Sequence, residues 1–216
     1  MRAKGRAELE TSYGQALEQV GRDARNLAAR GAAWHAAVDL AIEAEGRRDE
    51  TAAQRWLGRA KEQVERMREQ SGAHPQIRES YRTTEALQGR MAGTVSGLGA
   101  AKAERVVLER RVAMEVIESI DDQLVDRARR LMAADGGPES RYELAWLLYA
   151  KAEVEQIRGA RAATVAALAR EADEILSRRG ADEKLTPEMQ GLTVVVKHAR
   201  ASYEELAAGG EARPPR

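Results

Sequence analysis

Three carboxylates could share one side of a helix in the middle of the chain. Glu115, Glu118 and Asp122 stand at i, i+3 and i+7, a spacing that aligns them on one helical face. Di-metal sites in helix bundles use such carboxylates, but they combine them with Glu-x-x-His motifs on facing helices, and this sequence has none. We therefore favour a solvated acidic face, partly paired with Arg111 and Arg129. The sequence predicts no catalytic residue, no metal ligand and no cofactor.

The histidines give no support to a metal site either. His35, His74 and His198 are widely spaced along the chain, and none stands at the HExxH spacing of zinc proteases. We expect structural or surface roles for them, with His74 beside Pro75 at the start of a helix. His35 is the exception to which the repeat pattern below assigns a binding role.

The elements that would position these residues are helices. The chain has 216 residues, of which 41 are Ala, with no Phe and no Cys. Ala favours helices and close helix packing, whereas sheets favour β-branched and aromatic residues, so we predict an all-α protein. The absence of Cys excludes disulfides and thiolate chemistry.

Charge and hydropathy argue against nucleic acid and membranes as partners. Lys plus Arg and Asp plus Glu number 35 each, which leaves no net field to attract nucleic acid or an anionic membrane. No stretch approaches eighteen apolar residues and the first twenty residues lack an apolar core, so we predict no membrane insertion and no signal peptide. These features together favour a cytoplasmic protein.

Glycine and proline divide the chain into helical hairpins, because Gly ends helices and Pro is accepted in their first turn. We predict one array over residues 1–208 and a disordered tail over 209–216. Its hairpins span about 32–71, 75–134 and 138–179, with flanking helices at 3–30 and 187–208. Residues 100–134 are either one long helix or two helices that break at Asp121-Asp122, where an N-cap is available.

Repeated hairpins suggest a solenoid, in which each pair of helices packs against its neighbours. Small and apolar residues recur at spacings typical of a 34-residue repeat: Ala37, Leu40, Ala41, Ala44, Ala53, Leu57 and Ala60, then Trp146, Tyr149, Ala150, Ala162, Ala166 and Ala169. The pattern resembles the tetratricopeptide repeat, although Glu153 stands where that family usually has an aromatic residue. Residues 31–207 resemble the repeat extensions that follow the kinase domain in many bacterial serine/threonine kinases, while no kinase motif is present.

The tetratricopeptide resemblance implies antiparallel hairpins stacked as a right-handed superhelix. It also implies a non-enzymatic scaffold that binds a peptide or partner helix in a concave groove, as the regulatory part of a bacterial signalling protein. The resemblance assigns partner binding to His35, Glu45, Thr83, Arg90 and Lys151. We expect a monomer or weak homo-oligomer. The alternative is a structural bundle or coiled-coil oligomer without a groove, and a helical metal enzyme using the carboxylates of 115–126 ranks third.

Overall fold

The computed structural model describes residues 5–113, 119–178 and 183–211, with the backbone alone at residues 113, 210 and 211. These parts contain nine helices and no strand, which confirms the all-α prediction. The helices are α1 (Arg6–Arg22), α2 (Leu27–Gly46), α3 (Glu50–Ser71), α4 (Pro75–Met91), α5 (Gly97–Ala113), α6 (Asp122–Asp135), α7 (Pro138–Ile157), α8 (Ala162–Ser177) and α9 (Pro187–Glu211). None of the described helices combines the length and the apolar composition needed to cross a bilayer.

Capping residues explain where two predicted helices divide. The helix expected over 3–30 is two helices, because Asn26 caps α2 by accepting a hydrogen bond from the Ala29 amide at 2.9 Å. The stretch 100–134 also holds two helices, and the Asp121 side chain caps α6 by accepting from the Gln123 amide at 2.9 Å.

Two other helix ends differ from the prediction. The helix expected to reach residue 97 stops at Met91, and Gly93 follows in the left-handed region with φ of 66°. The last helix runs to Glu211 and so includes the first residues of the predicted disordered tail. The rest of that tail, 212–216, lies outside the described residues.

The chain divides into two compact units, unit 1 (Met1–Val116) and unit 2 (Ile117–Arg216). Within unit 1, helices α1 to α4 pack in chain order, and α5 packs on α4 and also contacts α2. Within unit 2, α6, α7, α8 and α9 pack in chain order, with a further contact between α7 and α9. Unit 2 therefore contains a hairpin followed by a helix that returns beside the hairpin's first helix, and in unit 1 side chains of α4 reach α2.

Alanine lets α2 serve as the centre of unit 1. Ala33, Ala37 and Ala41 are fully buried along it, beside Val38 and Ile42 on another of its sides. Small side chains let helix backbones approach closely, and a helix buried on several sides needs neighbours on several sides. The neighbours are α1, α3 and α5.

Unit 2 is built in the same way around α7. Leu144, Ala145 and Leu148 are fully buried, which confirms that this apolar run lies in a central helix. Ala166 and Ala169 of α8 form a buried cluster with Ala152 of α7 and Tyr203 of α9, so the high alanine content corresponds to closely packed helices in both units.

Candidate functional site

The five predicted partner-binding residues lie on three helices. His35 and Glu45 are on α2, Thr83 and Arg90 are on α4, and Lys151 is on α7 of unit 2. The structure brings His35, Glu45 and Arg90 to the side of unit 1 against which α5 packs, where Glu45 and Arg90 are half-buried and His35 stays exposed. We call this side the α2–α4 face and define it by these three residues together with Asp39.

Arg90 joins α2, α4 and α5. Its guanidinium donates to Glu45 of α2 and, through Nε, to Glu104 Oε2 of α5 at 2.6 Å. Arg111 of α5 places Nη2 3.7 Å from the second oxygen of Glu45. Burial alone would lower the pKa of Arg90, but the carboxylates of Glu104 and Glu45 outweigh it and raise the pKa. Arg90 therefore stays charged and paired.

Arg110 makes the second link between α5 and α2. Its Nη2 lies 2.6 Å from His35 Nδ1, and its Nη1 lies 3.5 Å from Asp39 Oδ1. Because arginine only donates, His35 Nδ1 is the acceptor and this nitrogen carries no proton. Burial first, and the positive charge of Arg110 second, lower the pKa of His35.

Thr83 has a neighbour with a clearer structural role. Thr83 is half-buried on α4, whereas Thr84 is buried and its hydroxyl accepts from Trp34 Nε1 at 2.8 Å. The same hydroxyl donates to the Ser80 carbonyl at 2.8 Å. Sequence reasoning missed Thr84, although a buried indole N–H usually needs an acceptor.

Lys151 holds the start of α6 in unit 2. Its Nζ donates to the Ile120 carbonyl at 2.6 Å and lies 2.9 Å from Asp122 Oδ1. This contact lowers the pKa of Asp122. Asp122 belongs to the carboxylate row singled out in the sequence, whose other members, Glu115 and Glu118, lie outside the described residues.

Arg111 and Arg129, which we expected to pair with the carboxylate row, pair with other acidic residues among those that the structure describes. Arg129 binds Glu171 of α8 through two hydrogen bonds of 2.9 and 2.8 Å and also pairs with Asp126. Arg111 pairs with Glu45 instead. Across the described ranges, no three His, Asp or Glu side chains are grouped closely enough to hold a metal.

Unit 2 contains an open groove between α7 and α9, of about 430 Å³. We call it the α7–α9 groove. It is lined by side chains of α7 and α9, which are Tyr149, Glu153, Gln156, Val194, Val195, His198, Ala199, Ser202 and Tyr203. Most of the lining is apolar, and polar groups lie among the apolar side chains. Such grooves suit a partner with an apolar stripe and a few polar anchors.

A hydrogen bond ties the two walls of this groove together. The Tyr203 hydroxyl donates to the Glu153 carboxylate. Burial and Glu153 raise the pKa of Tyr203, so the phenol stays protonated and continues to donate at neutral pH.

No family model, curated protein or solved structure matches this chain. The site is therefore interpreted from its geometry alone.

The α7–α9 groove was not among the predicted sites, although α9 carries a signal for it. Val194 and Val195 are 69% and 45% exposed, whereas Val196 is fully buried. At 100° per residue, Val194, Val195, His198 and Ser202 fall on one side of α9, and Val196 falls on another. From the sequence alone, the three consecutive valines cannot be assigned to the exposed or the buried side of α9. The assignment requires the positions of α7 and α8.

Proposed function

We propose that this protein is a non-enzymatic interaction module, in which the α7–α9 groove binds an amphipathic helix of a protein partner. The observation that carries the proposal is the exposed pair Val194 and Val195 beside the polar groups of the groove. Exposed β-branched residues on one stripe are a common mark of a binding surface.

The α7 wall supports a helical ligand. Tyr149 of the groove lining shares one side of α7 with Tyr142 and Trp146, which stand at i and i+4 before it outside that lining, and each is half-buried. Tyr and Trp are enriched among the residues that dominate binding energy, because they bury a large area at low entropic cost. An amphipathic helix supplies matching anchors at i, i+3, i+4 and i+7.

Unit 1 provides a precedent within the same chain. There α5 packs on α2 and α4, which stand in the same chain order as α7 and α9. The described residues of unit 2 include no helix in the corresponding place. The tetratricopeptide-like superhelix, and a regulatory role in a bacterial signalling protein, remain part of this proposal and rest on the sequence pattern.

Selection from a library of displayed amphipathic helices tests the proposal. We expect wild-type protein to select helices that bind in the micromolar range. Replacing Val194 and Val195 by Glu should weaken that binding by about tenfold or more, since burying one valine is worth about 1.5 kcal/mol. Ile157→Glu is the matched control, because Ile157 is 84% exposed and is not part of the groove lining.

Two results would count against a partner helix in this groove. If no helix is selected, or if Ile157→Glu weakens binding as much as the valine variant, the groove is not the binding site. If sedimentation instead shows a dimer that the valine variant abolishes, the structural oligomer is the better description. Circular dichroism of each variant establishes that its helices are intact.

A further inference from the structure

The α2–α4 face of unit 1 carries acidic and hydrogen-bonding groups that point to a particular ligand. Asp39 and Glu45 lie on α2 about two turns apart, with His35 one turn before Asp39. On α5 the atoms that meet them come from Arg110 and Arg111, while Arg90 of α4 also binds Glu45. The face is therefore matched to a helix that presents neighbouring arginines.

The apolar part of the contact comes from the middle of α5. On α5, Ala103, Val107 and Leu108 are buried, and Val112 at the far end is 44% exposed. By contrast, α2 buries ten residues. Besides Val107, which belongs to the core of unit 1, the attachment of α5 to α2 depends on half-buried arginine side chains that reach carboxylates at 3.5 and 3.7 Å, and solvent that reaches such pairs weakens them.

The beginning of α5 is weak as a helix. Gly97 has φ of 55° and Gly99 follows within the first turn. Each Gly costs about 1 kcal/mol of helix stability relative to Ala. A short turn containing Gly93, also at positive φ, joins α5 to α4. The local sequence therefore contributes little to the helical stability of the first turn of α5. The position of α5 depends on its contacts with the α2–α4 face.

We infer that the α2–α4 face is a second helix-binding site, selective for an amphipathic helix with adjacent arginines, and that α5 is its built-in, displaceable occupant. An external helix of the same chemistry competes with α5 for Asp39 and Glu45. The inference extends the proposed function to a second face. Its test changes residues of unit 1 only, so the outcome is independent of the α7–α9 groove.

The probe is a synthetic 17-residue peptide with the sequence of α5, residues 97–113. It is titrated against the wild-type chain and against Arg110→Glu/Arg111→Glu, in which α5 repels the carboxylates while the face itself is unchanged. A docked α5 lowers the apparent affinity in proportion to the free fraction of the face. We expect the variant to bind the peptide at least tenfold more tightly than wild type does.

Two controls separate specific docking from charge alone. A peptide with Glu at both arginine positions should lose binding to the variant. The variant Lys61→Glu/Arg66→Glu changes the net charge equally on α3, and it should behave as wild type. Equal binding to wild type and to the α5 variant, or no binding to a folded α5 variant, would overturn the inference.

A second measurement uses the wild-type face, in case the charge reversal prevents folding. Because the chain has no Cys, Gln54→Cys on α3 and Val112→Cys on α5 accept a single pair of nitroxide labels. Excess peptide should broaden or lengthen the distance distribution between the labels as α5 leaves the face. An unchanged distribution at saturating peptide refutes displacement, whatever the behaviour of the charge variant.

Discussion

Replacing Thr84 by Val tests whether a single buried hydroxyl joins α2 to α4. The Thr84 hydroxyl accepts from Trp34 and donates to the Ser80 carbonyl, both at 2.8 Å. Trp34 is 5% exposed and Thr84 is 1% exposed, so water does not replace the lost partner. Val preserves the shape and has nearly the same helix propensity, which leaves the hydrogen bonds as the main difference.

The expected cost follows from the unpaired indole N–H. A buried donor without an acceptor costs about 1–3 kcal/mol, so we expect Thr84→Val to destabilise unit 1 by about 2 kcal/mol. With a urea dependence of about 2 kcal/mol per molar, the unfolding midpoint should fall by about 1 M. Thr83→Val, at a half-buried position on α4, is the matched control, and its midpoint should move by less than about 0.3 M because changes away from buried hydrogen-bonded groups stay within about 0.5 kcal/mol.

Urea denaturation followed by tryptophan fluorescence measures the unfolding midpoint of each variant. In a Trp146→Tyr background the remaining indoles, Trp34 and Trp56, both report on unit 1. Hydrogen exchange of the Trp34 indole proton gives a second readout and should accelerate in Thr84→Val alone. Equal midpoints for Thr83→Val and Thr84→Val, with unchanged indole exchange, would refute the assignment of this hydrogen bond.

Three further predictions concern a titration, a lysine and two glycines. Because the pKa of folded His35 lies below its ordinary value of 6.5, the unfolded chain binds the proton first, and unit 1 loses stability as pH falls below 6.5. The urea midpoint of wild type should fall more between pH 7.5 and 5 than that of His35→Asn, and an equal fall would contradict the contact with Arg110. Lys151→Met should cost about 1–2 kcal/mol and speed amide exchange at the start of α6, since it removes a buried donor; unchanged exchange there would argue against this role. Gly89→Ala should destabilise by about 1 kcal/mol because the added methyl would lie 2.5 Å from a valine methyl, whereas Gly58→Ala, in open space on α3, should stabilise by up to about 1 kcal/mol; thermal melts that rank the two in the opposite order would count against this packing.

The all-α fold could be predicted from the composition and from the positions of Gly and Pro. The exact helix ends could not, because each depends on a single capping residue. Asp121 was a visible N-cap, and the proposed break before α6 is correct. Asn26 is an equally good cap, but it lies in a continuous alanine-rich pattern, which concealed the break before α2. Periodicity reports which residues face a core, whereas a cap is decided by one side chain and one amide.

The site was harder to predict because its contacts are distant in sequence. The repeat pattern placed His35 and Glu45 on a face of α2 that meets other side chains, but no local spacing indicates that Arg110, 75 positions from His35, covers that face. Thr83 was selected beside Thr84 for the same reason, since helical periodicity does not decide which of two adjacent threonines faces Trp34. Exposure of Val194 likewise depends on where α7 and α8 pack.

The α2–α4 face and the α7–α9 groove are formed by helices in the same chain order, but their side chains differ in chemistry. This difference predicts a different response to salt. The α2–α4 face meets α5 through carboxylates and arginines, while the α7–α9 groove presents valines and aromatic residues. The ion pairs of Arg110 and Arg111 are half-buried, so they weaken, though less than fully exposed pairs, as salt shortens the screening length from about 10 Å at 0.1 M to about 3 Å at 1 M, and apolar burial does not. Raising NaCl over this range should therefore release α5 from α2, as read from the nitroxide distance, while helices selected by the α7–α9 groove keep their affinity within about twofold. If both respond equally to salt, the contacts of Arg110 and Arg111 do not distinguish the two faces, and α5 is held by its apolar side chains instead.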